Sequence, residues 1–168
     1  RRRDGLQSIH AEISGMIFLQ ATLGPVKLTA RADRLEYYNN GQWTVVDYKT
    51  GTVPSGNLIK KGVRNQLAVE GLIAYDGGFE SLPAGKIKSL EYWQLSGKKS
   101  APGEIKTPFA DLFDVDEVRD RLERLANYFD QIDTSYPSEL DPINVPPFKP
   151  YKHLSRSREW FYGDNADE

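Results

Sequence analysis

The stretch from Val26 to Lys49 constrains the fold more than any other part of the chain. It reads VKLTARADRLEYY, then NNG, then QWTVVDYK. Val26, Leu28 and Ala30 alternate with polar neighbours, which is the period of a half-buried strand. Asn39-Asn40-Gly41 is a turn built from residues that tolerate positive φ. Aromatic and β-branched residues then resume from Trp43 to Lys49. The stretch therefore reads as a β-hairpin, and its return strand ends strangely. Strand alternation puts Asp47 and Lys49 on one face and Tyr48 on the other, in a segment that otherwise looks buried.

The turn makes the register testable. If Tyr38 pairs with Gln42 across a three-residue loop, paired numbers sum to 80 and Asp33 stands opposite Asp47. Residues so opposed have Cβ atoms about 5 Å apart. A two-residue loop would give a sum of 81 and place the two acids on opposite faces. Two carboxylates that close repel unless positive charge lies between them, and Lys49 is one charge against two. A divalent cation with hard oxygen ligands, Mg²⁺ or alternatively Mn²⁺, is the natural further partner. Lys49 would orient or help deprotonate an attacking water, or steady charge on a phosphate. These parts fit metal-assisted phosphodiester hydrolysis. A single Asp in a strand more often belongs to an ordinary cross-strand ion pair, and the combination in chain order is what favours a site.

Ahead of the hairpin, Ser8 to Leu19 reads as a strand interrupted at Gly15. Glu12 in that strand is a further candidate metal ligand, and His10 is a weak site candidate. The opening Arg1-Arg2-Arg3-Asp4, through residue 7, reads as the end of a helix cut from a longer chain. Beyond the hairpin, Thr52 to Asn57 is a loop. A helix is expected from Leu58 to Tyr75, stopped by Gly77-Gly78. On a helical wheel Ile59, Val63, Leu67, Ile73 and Ala74 form one apolar sector, and Gln66 and Glu70 fall inside it. Inward-facing polar groups need partners, and a neighbouring active site would supply them. Gln66 is accordingly a candidate for the catalytic group, while the role of Glu70 stays open.

Ile87 to Leu95 reads as another strand and Lys98 to Pro108 as a polar loop. Asp114 caps a second helix, with Glu117 completing a capping box and Val115, Val118, Leu122, Leu125 and Phe129 on one face. Residues 136–168, with Pro146-Pro147 and Pro150, read as an extended tail. Three strands, a helix, a strand and a helix make the chain α/β or α+β. Its 168 residues suffice for one domain with a core, and 39% apolar composition is globular.

Charged residues make up 27% with a net charge of -2, which argues against a wholesale DNA-coating protein but leaves room for a local basic groove. Lys60, Lys61 and Arg64, beside the loop after Lys49, are the candidates for phosphate contact. With no cysteine, the chain can form neither a disulfide nor an iron–sulfur cluster of its own, and a reducing compartment is expected. No apolar run approaches the roughly 20 residues that span a bilayer, so no membrane partner is expected.

The order Asp33, then Asp47-Tyr48-Lys49-Thr50-Gly51, then Gln66-Leu67 resembles the RecB-type branch of the PD-(D/E)XK nuclease superfamily. The stretches NQLAVEGLIAYDGGF, LPAGKIKSLEYWQLSG and YKHLSRSREW further resemble the C-terminal nuclease domain of AddB-type subunits of bacterial AddAB helicase–nucleases. The resemblance runs from about Glu12 to the end of the chain. It implies a restriction-endonuclease-like mixed sheet flanked by helices. It implies Mg²⁺ held by Asp33, Asp47 and the main-chain carbonyl of Tyr48, with Lys49 serving the attacking water and Gln66 supporting the site. It also implies an exodeoxyribonuclease acting on single-stranded DNA ends during double-strand break repair, beside an AddA-type helicase subunit in a bacterial cytoplasm. The chain departs from that branch in carrying Glu70 where a Tyr is usual. The alternative expectation is a non-catalytic DNA-binding or subunit-scaffolding module that keeps the fold.

Overall fold

The computed structural model describes residues 4–54, 65–98, 101–107 and 113–135. Five strands form one sheet in sequence order: β1 Leu6–Leu19, β2 Val26–Tyr38, β3 Gln42–Lys49, β4 Lys86–Lys98 and β5 Ala101–Lys106. Helix α1, Gln66–Tyr75, lies between β3 and β4, and α2, Val115–Phe129, follows the sheet. β3 and β4 run parallel and the other neighbours antiparallel. A parallel pair requires a long crossover, and α1 sits in it. This is the mixed-sheet α/β arrangement expected from the sequence. The chain forms two compact units, Arg1–Gln131 and Ile132–Glu168, and the sheet with both helices belongs to the first. The Pro-rich segment 136–168 lies outside the described residues.

One face of the sheet carries the core. Leu35 of β2, Trp43 and Val45 of β3, and Leu90 and Tyr92 of β4 meet Leu67, Leu72, Ile73 and Ala74 of α1. Ile17 and Leu19 of β1 extend the cluster, and Val115, Val118 and Leu122 of α2 pack against it. Fully burying side chains of this size contributes about 1.5–3 kcal/mol each. Trp43 also donates its indole N–H to the Pro83 carbonyl at 3.1 Å, which removes the cost of burying that polar atom. The opposite face buries polar groups beside Val46 and Tyr38. Glu36, wholly buried, accepts from Arg34 Nε at 2.9 Å and from the Tyr38 hydroxyl at 3.0 Å, and pairs with Arg34 Nη2 at 2.7 Å.

The structure corrects several expectations. Residues 1–7 do not read as a helix end over their described part. β1 begins at Leu6, which pairs with Tyr38, and Gly5 accepts from the Asn39 N–H at 2.9 Å. The expected polar loop from Lys98 to Pro108 contains β5, an edge strand pairing Trp93 with Ile105 and Gln94 with Glu104. Its described stretch from Gly103 to Ile105 is exposed and leaves no period-two apolar signal. Helix α1 is described from Gln66, so its expected first part, Leu58 to Arg64, lies outside the described residues. The Asp114 side chain does cap α2, accepting from the Asp116 and Glu117 N–H groups at 2.9 and 3.2 Å. The Glu117 carboxylate instead pairs with Arg121 at 2.7 Å, so only half of the capping box forms. Leu125 lies on the exposed side of the expected apolar face.

Candidate active site

The hairpin has the register that brings the acids together. Arg34 pairs with Val46, Leu35 with Val45, Glu36 with Thr44 and Tyr37 with Trp43, so paired numbers sum to 80. The turn supports that count. Gly41 has φ +76 and donates to the Tyr38 carbonyl at 2.9 Å, a conformation that Gly adopts at no steric cost. The ladder stops at Arg34 and Val46, one step short of the acids. There Asp33 Oδ2 accepts the Tyr48 backbone N–H at 3.0 Å, which fixes the Asp33 carboxylate at the end of β3.

A matched irregularity in β1 and β2 turns Asp33 toward α1. Between the pairs Ala11–Arg34 and Ile13–Ala32, Glu12 and Asp33 are left unpaired, and Glu12 has φ +54. Core-facing parity changes there. Leu28, Ala30 and Ala32 pack toward the core before it, and Leu35 and Tyr37 after it. By alternation Asp33 shares the face of Leu35, and so of Val45 and Asp47.

Asp47 is 1% exposed. The Lys49 ammonium lies 2.8 Å from its Oδ1 and 2.6 Å from its Oδ2. Only the bond to Oδ1 has hydrogen-bonding geometry, and Oδ2 is left buried without a hydrogen bond. Burial pushes the Asp47 carboxyl above its ordinary range, opposed by the hydrogen bond and charge of Lys49, while the charge of Asp33 adds to the rise. The same ammonium donates to Gln66 Oε1 at 3.3 Å and stands 5.7 Å from the centre of the Tyr92 ring. Gln66 Nε2 in turn donates to Glu70 Oε1 at 3.1 Å. Glu70 is 1% exposed and its other oxygen, Oε2, has no hydrogen bond. Burial, with the charges of Asp47 and Asp33 behind it, pushes the Glu70 carboxyl up to about 8.

Asp33, Asp47, Lys49 and Gln66 are thus brought together. Glu12 is not part of the group. Its carboxylate pairs with Arg31 at 3.0 Å on the exposed side of β1, and the left-handed backbone at Glu12 accompanies that turn outward. His10 packs edge-on to Trp43 and shares a hydrogen bond with Ser8 Oγ, a structural place. Lys60, Lys61 and Arg64 lie outside the described residues. The wheel of α1 holds for Leu67, Glu70, Ile73 and Ala74, and fails only at Gln66. Gln66 is exposed at the helix start while Glu70 is fully buried. The inward polar position on the wheel was the signal for Glu70. Tyr92 left no comparable signal, because only the β3–β4 register, pairing it with Asp47, places it under Lys49.

The donor set suits a hard divalent cation. Asp33 and Asp47 offer carboxylate oxygens, and the buried Asp47 Oδ2, which makes no hydrogen bond beyond its ion pair with Lys49, keeps lone pairs that a cation could use. No cluster of three or more His, Cys, Asp or Glu among the described residues forms a cation cage by itself. Mg²⁺ is ordinarily held by one or two carboxylates, with water and substrate completing its shell.

A family model for the PD-(D/E)XK nuclease superfamily matches residues 1–152. An uncharacterized protein of Rickettsia bellii (strain RML369-C) is 37% identical over 78 residues, covering 46% of this chain and 9% of that protein. An uncharacterized protein of Rickettsia typhi (strain ATCC VR-144 / Wilmington) is 35% identical over 95 residues, covering 56% of this chain and 11% of its own length. The chain therefore spans about a tenth of the length of these relatives. With the match over most of its length, the mixed sheet and an Asp-Asp-Lys group on one sheet face, the chain belongs to the PD-(D/E)XK nuclease superfamily, whose members are nucleases that generally use divalent metal ions such as Mg²⁺.

Proposed function

We propose that this chain is a Mg²⁺-dependent exodeoxyribonuclease domain that hydrolyses phosphodiester bonds of single-stranded DNA during double-strand break end processing. In this reading it is the nuclease part of an AddB-like subunit working beside an AddA-type helicase. The observation that carries the nuclease reading is the buried Asp47 carboxylate ion-paired with Lys49, with Asp33 on the same sheet face. The extended resemblance of the Gln66 helix and of β4 to AddB-type domains supports the repair setting. A bound Mg²⁺ would neutralise charge on the scissile phosphate. Asp33 and Asp47 would hold it. Asp33 is fixed for that role by the Tyr48 N–H, and Asp47 by its burial. Lys49, a movable ammonium between Asp47 and Gln66, would align the attacking water and offset negative charge on the phosphate.

The test is cleavage of end-labelled single-stranded DNA by the complete protein with its helicase partner, with Mg²⁺ and with EDTA. Cleavage should require the metal and should fall to background in Asp47→Ala. Full cleavage by that variant would refute the assignment. DNA bound but uncut by the wild type would instead favour the scaffolding module.

A further inference from the structure

The hydrogen bonds around Lys49 leave one group without a stated job. Glu70 is buried, half-satisfied and held near neutrality, a costly placement for a carboxyl that only fills space. Its one bond goes to the Gln66 amide. An amide has two unlike ends. Its oxygen only accepts and its nitrogen only donates. Lys49 is a pure donor, so it needs the oxygen of Gln66, while Glu70 Oε1 takes the nitrogen. Reversing the amide would set an NH₂ against the ammonium and would break the bond from Gln66 Nε2 to Glu70 Oε1. Gln66 is exposed at the first residue of α1, where packing does little to restrain it. Glu70, one turn on and locked in the core, restrains it instead.

We propose that Glu70 is a positioning residue: by holding the Gln66 amide with its oxygen toward Lys49, it keeps the catalytic ammonium between Asp47 and Gln66. This rests on the nuclease reading of the site. The chain of contacts runs from Glu70 Oε1 through Gln66 Nε2 and Oε1 to Lys49 Nζ, at 3.1 and 3.3 Å, and on to Asp47. Glu70 touches neither water nor phosphate in this scheme. It acts only through Gln66, so its removal matters only while Gln66 is present.

The experiment compares Glu70→Leu, Glu70→Gln, Gln66→Ala and the double variant Gln66→Ala/Glu70→Leu in the full-length protein. Glu70→Leu should lower kcat about 10–100-fold with little change in the KM for single-stranded DNA, the usual cost of losing an orienting partner. Glu70→Gln, which keeps an acceptor oxygen, should retain most of the turnover. The double variant should be no slower than Gln66→Ala alone, the non-additivity of residues in one network. The second readout needs no activity. The side-chain amide resonances of Gln66, followed in isotope-labelled protein, should move in Glu70→Leu and stay in place in Glu70→Gln. Effects of Glu70→Leu and Gln66→Ala that multiply, or Gln66 resonances that ignore Glu70→Leu, would overturn the proposal. A wild type that never cleaves DNA overturns the nuclease reading instead, and the resonances then still decide the contact. Should Glu70→Leu not fold, Glu70→Asp, which withdraws the carboxyl from Gln66, carries the same readings with the same two refuting outcomes.

Discussion

Replacing Glu70 with Gln should change how the stability of the chain depends on pH. The native carboxyl is pushed from an ordinary 4.5 up to about 8 by burial first, then by Asp47 and Asp33. An unfolded chain gives up this proton near 4.5, whereas the native chain keeps it until about 8. Between those values the native state binds more protons, so stability must fall as pH rises. The contribution is fully present below about pH 4.5 and lost once pH passes about 8. The slope approaches 1.4 kcal/mol per pH unit, and the interval gives a ceiling of about 5 kcal/mol. The variant has no proton to lose and so lacks this slope. Urea denaturation of wild type and Glu70→Gln from pH 5 to 9 in EDTA, followed by tryptophan fluorescence, reads the difference. Trp43 sits in the core at 1% exposure and reports its loss. Taking the difference cancels the titrating groups that are not coupled to Glu70. The two proteins should be nearly equal at pH 5, and the variant should be clearly the more stable above pH 8. Stability curves that stay parallel across the whole range would refute the idea that Glu70 is buried beside Asp47 and Asp33.

Two further substitutions probe the same site from other sides. Lys49→Met in metal-free protein should cost about 2 kcal/mol by urea midpoint, because the buried Asp47 carboxylate loses its countercharge; this is less than for a wholly buried pair, as Lys49 is partly exposed. Adding Asp47→Asn should recover most of that loss. Glu12→Gly should raise stability by about 1 kcal/mol by relieving a left-handed backbone at a residue with a Cβ. Mn²⁺ affinity, read by titration, should be unchanged, and a fall in affinity would return Glu12 to the site.

The hairpin was legible because everything that fixes it is local. A three-residue turn with Gly at φ +76 sets the register, and strand alternation then puts Asp33, Asp47 and Lys49 on one face. Glu70 was half legible. The wheel turned it inward, but how deeply it is buried depends on the sheet core into which α1 packs, which no periodicity encodes. Glu12 misled because its direction follows from an irregularity shared by two strands, set where neither sequence carries a Gly or Pro. β5 was missed because its exposed Glu104 and Ile105 show no apolar alternation to read. The Arg-rich start resembled a helix end only because residues that pair from Leu6 onward lie far along the chain, near Tyr38.

The electrostatics of the site explain why a fold would keep Glu70 in this costly place. Asp33, Asp47 and Lys49 sum formally to one negative charge, and Glu70, pushed up to about 8, adds none at neutral pH. A bound dication turns that sum to one positive charge, equal and opposite to a phosphodiester. With Glu70 ionised the same site would be neutral when loaded, and would offer the phosphate no net attraction at short range. An ordinary Glu on the surface of α1 could also accept from Gln66 but would be charged and less firmly held. Burial is what lets one side chain hold the amide without cancelling the positive charge that the substrate needs. Catalysis of phosphodiester cleavage, measured against pH, should therefore weaken as Glu70 ionises, at a pH that the bound dication draws below the metal-free value, through a rise in the KM for DNA. The Glu70→Gln protein should not show that rise.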